Sequence, residues 1–303
     1  MFLASLKKLR LAAALSLVAL MPVVANAQTS LFNSNGFEPP YALANINNQF
    51  GWSAQGSAGA GFVVNTTVNS GTQSFRINGP SLTGGGLGGS GSSFWVQLLA
   101  PNLGASFKPV AAGKPVLIVN WKQFLTGSSG DITTMPFSGI HIEGYRADGQ
   151  SQMTTEISID INDSVGIFDG FNVIPGPSIT NLRNNWIDLS ASLDYTTQSV
   201  SVKVNGLPYL SDIPFANYIP AQSQADSIGV AEADIFAVNG LIFAGAQSTN
   251  QAFFDNFNVT AVAVPEPAVF VLGGAGIGLF GFWYWRRQRN IAEQMEQWVS
   301  IPE

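Results

Sequence analysis

An all-β domain, a sandwich of short antiparallel strands, is the fold this sequence predicts. Three observations carry the prediction. Between residues 28 and 261 no apolar residues recur at helical spacing. Short runs rich in Val, Ile, Phe and Thr alternate instead with clusters of Gly, Asn, Ser and Pro. One run, Ser199–Val204, alternates cleanly, with Val200, Val202 and Val204 on one face and Ser199, Ser201 and Lys203 on the other. Asn205-Gly206 follows it, a pair suited to a tight hairpin turn.

The elements follow in order. Lys7, Lys8 and Arg10 form a basic start, residues 11–24 an apolar run, and Ala25-Asn26-Ala27 a small-x-small cleavage site. Residues 1–27 therefore read as a signal peptide, and residues 28–262 as one exported domain. Strands are predicted at 62–64, 74–77, 94–99, 116–121, 154–161, 199–204 and 253–262. Residues 83–93 include six glycines and read as a flexible loop or a break between two halves of the sheet. No helix or Lys follows to make that segment a phosphate cradle. Residues 207–220, with three prolines, read as a loop.

The C-terminal end has a different character. Pro265-Glu266-Pro267 precedes an uncharged apolar run, 268–285, closed by Trp283, Tyr284 and Trp285. As a helix that run is about 27 Å long, near the thickness of a bilayer core. Arg286, Arg287 and Arg289 follow as a basic stop, which places residues 290–303 as a short cytoplasmic tail.

Composition narrows the function. The chain has 303 residues, no cysteine and a net charge of −6. Residues 28–262 carry seven Lys and Arg against fifteen Asp and Glu. An acidic body argues against phosphate-mediated binding of nucleic acid. Without cysteine there are no disulfides and no thiolate metal site, and one histidine cannot make a zinc centre. No Gly-x-Ser-x-Gly elbow accompanies His141, which reads as a half-exposed strand residue between inward Ile140 and Ile142.

The order Pro-Glu-Pro, apolar span, basic cluster resembles the PEP-CTERM sorting signal of Gram-negative surface proteins. The resemblance covers residues 263–289. It implies recognition at Pro265, Glu266 and Pro267 by a membrane-embedded exosortase that removes the tail. It also implies transit through the inner membrane, then residence at the cell surface or in the extracellular matrix, with exopolysaccharide as a neighbour. A structural or adhesive role follows, not an enzymatic one.

A second resemblance concerns the body. Gly36-Phe37-Glu38, Gly51-Trp52 and 70–77 are similar to the opening strands of jelly-roll carbohydrate-binding modules. Trp186-Ile187-Asp188-Leu189, Asp194-Tyr195 and 200–206 are similar to concanavalin- and laminin-G-like lectins. Phe254-Asp255-Asn256-Phe257 is similar to the last strand of both. The resemblance implies a jelly-roll or concanavalin-like β-sandwich and a carbohydrate-binding alternative. It also implies that Glu38 and Asp255, on the first and last strands, together hold a structural Ca²⁺. Exposed Tyr209 and Tyr218 are candidate sugar-stacking residues, while most tryptophans read as core.

Finally, Glu156-Ile157-Ser158-Ile159-Asp160 is similar in outline to the acidic strand of some concanavalin-fold glycoside hydrolases, a second alternative. Its central acid is replaced by Ser158. Glu156 and Asp160 lie about 13 Å apart along a strand, beyond the roughly 5–9.5 Å that glycoside hydrolysis needs. Asp163, beyond the strand end, is the remaining acid that could fold back.

Overall fold

The computed structural model describes residues 28–56, 61–78, 91–98, 105–127, 136–160, 162–170, 172–216, 226–239 and 251–263, and residues 281, 283, 284, 286 and 287. The strands, in chain order, are β1 (Gln28–Asn33), β2 (Ser53–Gly56), β3 (Gly61–Val64), β4 (Ser74–Asn78), β5 (Gly91–Gln97), β6 (Val116–Leu125), β7 (Pro136–Tyr145), β8 (Ser151–Ile159), β9 (Val165–Phe168), β10 (Val173–Pro175), β11 (Trp186–Asp194), β12 (Ser199–Val204), β13 (Leu207–Pro214), β14 (Gly229–Asn239) and β15 (Gln251–Val262). They form two antiparallel sheets. One has eight strands in the order β13-β12-β11-β6-β15-β4-β3, with β1 also paired to β15. The other has seven, in the order β10-β9-β8-β7-β14-β5-β2.

The sheets form because the period-two pattern gives each a continuous apolar face. In β6, Leu117, Val119, Trp121, Gln123 and Leu125 are buried, while the residues that alternate with them are half-buried. In β14, Ala233, Ile235 and Ala237 join the same core, as do Ile140 and Ile142 of β7. Trp52 and Trp121 lie inside, each with its indole N–H satisfied, by the Tyr41 hydroxyl and by Gln123. The Gln123 amide then crosses the layer to donate to the Ser138 carbonyl at 3.0 Å, tying β6 to β7. The predicted jelly-roll or concanavalin-like sandwich is the observed class.

Several details differ from the sequence prediction. Residues 207–214 form strand β13 rather than a loop. Its prolines are tolerated because β13 is an edge strand, where a missing N–H leaves no ladder bond unmade. Strand β5 begins at Gly91, so the glycine-rich segment ends inside a strand. Trp186 is half-buried on the outer face of β11, not in the core. His141 is the half-buried strand residue expected, with Ile140 and Ile142 inward.

The sandwich is one unit, Ala27–Ala263. Residues 1–27, 264–280 and 288–303 lie outside the described residues, including the signal peptide, Pro265, Glu266, Pro267, Arg289 and the tail. Of the span predicted at 268–285, Gly281, Trp283 and Tyr284 are described and helical, as are Arg286 and Arg287 beyond it. Among the described residues no helix is long and apolar enough to cross a membrane.

Candidate functional site

Glu38 and Asp255 meet at one turn. Strand β1 pairs with β15, which brings the start and end of the sandwich together. Glu38 caps a short 3₁₀ turn, Asn35–Phe37, in which Asn35, Gly36 and Phe37 all have positive φ. Asp255 sits where the β15–β6 register shifts, beside Asn256 at φ 53°. Between them lies the turn that leads into β4. The Glu38 carboxylate accepts from the Thr72 N–H at 2.6 Å, the Thr72 hydroxyl at 2.6 Å and the Gln73 N–H at 2.9 Å. Asp255 accepts from Ser70 N–H at 3.1 Å and Asn256 N–H at 2.7 Å.

Glycine is required twice here. A Cβ on Gly71 would lie 2.1 Å from Glu38 Oε1, and one on Gly36 would lie 3.0 Å from Asp255 Oδ1 and 3.1 Å from Asn256 Oδ1. Gly36 thus leaves a small space facing three oxygen-bearing side chains, since Glu38 Cγ is 3.7 Å from the same point. Burial raises the Asp255 carboxyl above its ordinary value, and the Glu38 charge adds to this against its N–H bonds. Burial also acts on Glu38, but its three hydrogen bonds outweigh it and hold the carboxyl below the usual range.

These residues fit a hard oxygen-seeking cation in kind. Asp255 Oδ1 and Asn256 Oδ1 face the same space at Gly36, but Glu38 presents its Cγ there and turns its oxygens to Thr72 and Gln73; neither acid has an ion-pair partner among the described residues. They do not make a large acidic cage: among the described residues no group of three or more His, Cys, Asp or Glu is arranged around one point.

A second constellation crosses the outer face of the seven-stranded sheet. Glu156 on β8 lies opposite His141 on β7, and His141 opposite Asp234 on β14. Two residues along, the unbroken β7–β14 register places Glu143 opposite Glu232, while a register shift on the β8 side sets Glu143 opposite Met153. His141 Nε2 is 3.6 Å from Glu143 Oε1. Burial pushes the Glu156 carboxyl up to about 7. Burial, the Glu143 charge and a hydrogen bond with Glu143 push Glu232 to about 7 as well. Burial lowers the His141 pKa, opposed by Glu143. Near neutral pH Glu156 and Glu232 stand between their charged and neutral forms, beside an imidazole that burial inclines to the neutral form, groups able to take up or release a proton. The sequence reading singled out Glu156 and His141 but missed Glu143, Glu232 and Asp234; the Glu-Ala-Asp alternation at 232–234 was the available signal.

The other acids of that region are engaged elsewhere. Asp160 lies past the end of β8 and accepts from Asn162 N–H, Ser164 N–H and the Ser164 hydroxyl. Asp163 is paired with Arg183 at 2.5 Å. Tyr209 is half-buried; its ring packs on Gly176, and its hydroxyl accepts from Val165 N–H and donates to the Pro177 carbonyl. It ties edge strand β13 to the start of β9 and to the segment after β10. Tyr218 lies outside the described residues.

Comparison with known proteins adds two kinds of finding. No curated protein matches the chain in sequence. Among solved structures, the alginate lyase Aly36B is similar at TM-score 0.46 and 12% identity, over 79% of this chain and 99% of that one. A galectin-like-fold protein from Bacillus subtilis gives 0.46 and 12%, over 78% and 98%. A sialidase gives 0.45 and 9% over 77% of this chain, which spans 18% of that enzyme. The match within the chain is local: residues 263–288 fit the PEP-CTERM protein-sorting motif. That motif marks an exported protein that transits a membrane and is processed by an exosortase.

Proposed function

We propose that this protein is a structural or adhesive component of a Gram-negative cell surface or exopolysaccharide matrix, delivered there by exosortase processing, and that it is not an enzyme. The order of features along the chain supports this. The sandwich unit ends at Ala263, and the sorting motif begins at residue 263. The body would then be a cargo released when the tail is cut. Intact mass of the protein recovered from cells with and without the exosortase tests it. A shortened C-terminus near Pro265–Pro267 is expected only when the exosortase is present; a chain ending at Glu303 in both strains would overturn it.

Calcium belongs to the same proposal. Glu38, Asp255 and Asn256 would hold the ion, which would supply a fixed positive charge to offset their carboxylates. Thermal unfolding with excess EDTA and with millimolar calcium tests this, and an unchanged midpoint would dispose of the ion.

The carbohydrate-binding reading is the second one, favoured by an aromatic row on the eight-stranded sheet. The degenerate glycoside hydrolase reading has less support, because Asp160, the acid nearest Glu156 along the chain, is turned into its own loop.

A further inference from the structure

The outer face of the eight-stranded sheet carries one continuous row across five neighbouring strands. Register places Phe62 of β3 opposite Arg76 of β4, and Arg76 opposite Phe253 of β15. Phe253 is opposite Phe124 of β6, which is opposite Trp186 of β11. Four inter-strand steps give a stripe about 19 Å long. Phe124 and Trp186 have ring centroids 5.6 Å apart, Phe124 and Phe253 5.9 Å. Phe62, Arg76, Phe124 and Trp186 are half-buried, and Phe253 in the middle is 2% exposed. None of the five belongs to the core between the sheets.

Arg76 is the unusual member. Its guanidinium lies 5.6 Å from the Phe62 ring centroid. Its Nε is buried without an acceptor, and no carboxylate pairs with it among the described residues. This occurs in a body with twice as many acids as bases. An arginine with no carboxylate partner among the described residues, flanked by aromatic rings, suits an anion that its planar donors can grip. The rows on either side are polar. Asn78 and Gln251 are hydrogen-bonded to each other in one; Lys122 and Asp188 are ion-paired in the other, with the Asn120–Asn258 pair beyond.

We propose that this stripe binds an acidic polysaccharide, its rings seating sugar faces and Arg76 pairing with a sugar carboxylate. A sugar presents an apolar C–H face and a rim of hydroxyls. The stripe offers flat rings, and the adjacent rows offer amides. Nucleic acid, the other polymer with anionic groups and stackable rings, would need more than one unpaired cation. The proposal gives a ligand class to the carbohydrate-binding reading and rests on it; it does not depend on exosortase cleavage.

The full chain in detergent micelles can be titrated with sodium polygalacturonate and with its fully methyl-esterified form, which keeps the rings but removes the charge. Wild type is expected to bind the acid form at least tenfold more tightly than the ester. Arg76→Gln should reduce binding of the acid form to that of the ester, with Arg76→Lys intermediate. Trp186→Ala should weaken both forms. Lys122→Gln, one row away, should leave the preference for the acid form intact. Equal binding of acid and ester by wild type, or an unchanged preference in Arg76→Gln, overturns the arginine assignment. Binding of neither form overturns the carbohydrate reading itself. A concentration-dependent dimer that Trp186→Ala dissolves would give the stripe to a second copy and also overturn the proposal.

Discussion

The two outer faces of the sandwich have the same backbone and opposite chemistry. On the eight-stranded sheet the half-buried outer positions at the centre hold Phe124, Trp186 and Phe62 around a buried Phe253. On the seven-stranded sheet they hold Glu156, His141, Glu143 and Glu232, with Asp234 buried among them. Partial burial has opposite consequences for the two sets. Removing a ring from water is favourable and indifferent to pH. Removing a carboxylate is unfavourable, so the group keeps its proton to higher pH. One face should therefore contribute stability at every pH, and the other only where its carboxyls are protonated.

The largest effect expected comes from the aromatic face. Phe253→Ala would open a cavity between Arg76 and Phe124 and should cost about 3–5 kcal/mol in denaturant unfolding. Trp186→Ala, at the half-buried end of the row, should cost clearly less. Equal losses would mean that the row is not packed as one unit.

The acidic face should respond to pH instead. The folded-state value of Glu156 is about 7 against an ordinary 4.5. The folded protein therefore binds this proton more tightly, and stability falls as pH rises from about 4.5 to 7. Glu232 acts in the same direction, more weakly because it is more exposed. His141 has the opposite sign: its lowered value makes stability fall as pH drops below about 6.5. Glu156→Gln should remove the first limb, gaining on the order of 2–3 kcal/mol relative to wild type at pH 8 compared with pH 4.5. With Glu232→Gln added, only the His141 limb should remain. Parallel profiles for wild type and both variants would show that these carboxyls are hydrated like any surface pair.

A smaller effect is expected where the chain ends meet. Glu38→Ala leaves the Thr72 and Gln73 donors without their acceptor and should cost about 1–3 kcal/mol. Because Asp255 loses a neighbouring negative charge, its carboxyl should titrate at lower pH in the variant, measurable by carboxyl NMR.

How much of this was legible in the sequence differs between the faces. β12 was readable because Val200, Val202 and Val204 alternate with polar residues and a hairpin pair follows. β13 was hidden by Pro208 and Pro214, which read as loop residues unless the strand is known to be at an edge. The pairing of Glu38 with Asp255 was legible only through resemblance to jelly rolls, since the residues lie at opposite ends of the body. Most tryptophans were read as core because they adjoin apolar residues, yet the strand period puts Trp186 on the face opposite Ile187. The polar exterior around Glu156 was foreseen, but not its high pKa. That property arises from burial between strands β7 and β9, where Glu156 faces His141 and Phe168, and cross-strand register is set by turns and bulges that local pattern does not encode.

The smallest effect tests whether the aromatic face is as insensitive to solution conditions as its rings imply. Lys122 and Asp188 sit in the row beside the stripe, paired at 2.6 Å, with side chains 30% and 58% exposed. Their register partners are fixed by the β6–β11 ladder, so little further ordering is needed to bring them together. Exposure nevertheless keeps such a pair in high dielectric, and a double-mutant cycle with Lys122→Gln and Asp188→Asn should return about 0.2–1 kcal/mol. One molar salt, with a screening length of about 3 Å, should remove most of it. A coupling well above that range, or one that survives salt, would mean that the neighbouring rings shield the pair from water. The eight-stranded face would then share the electrostatic character assigned here to the seven-stranded one.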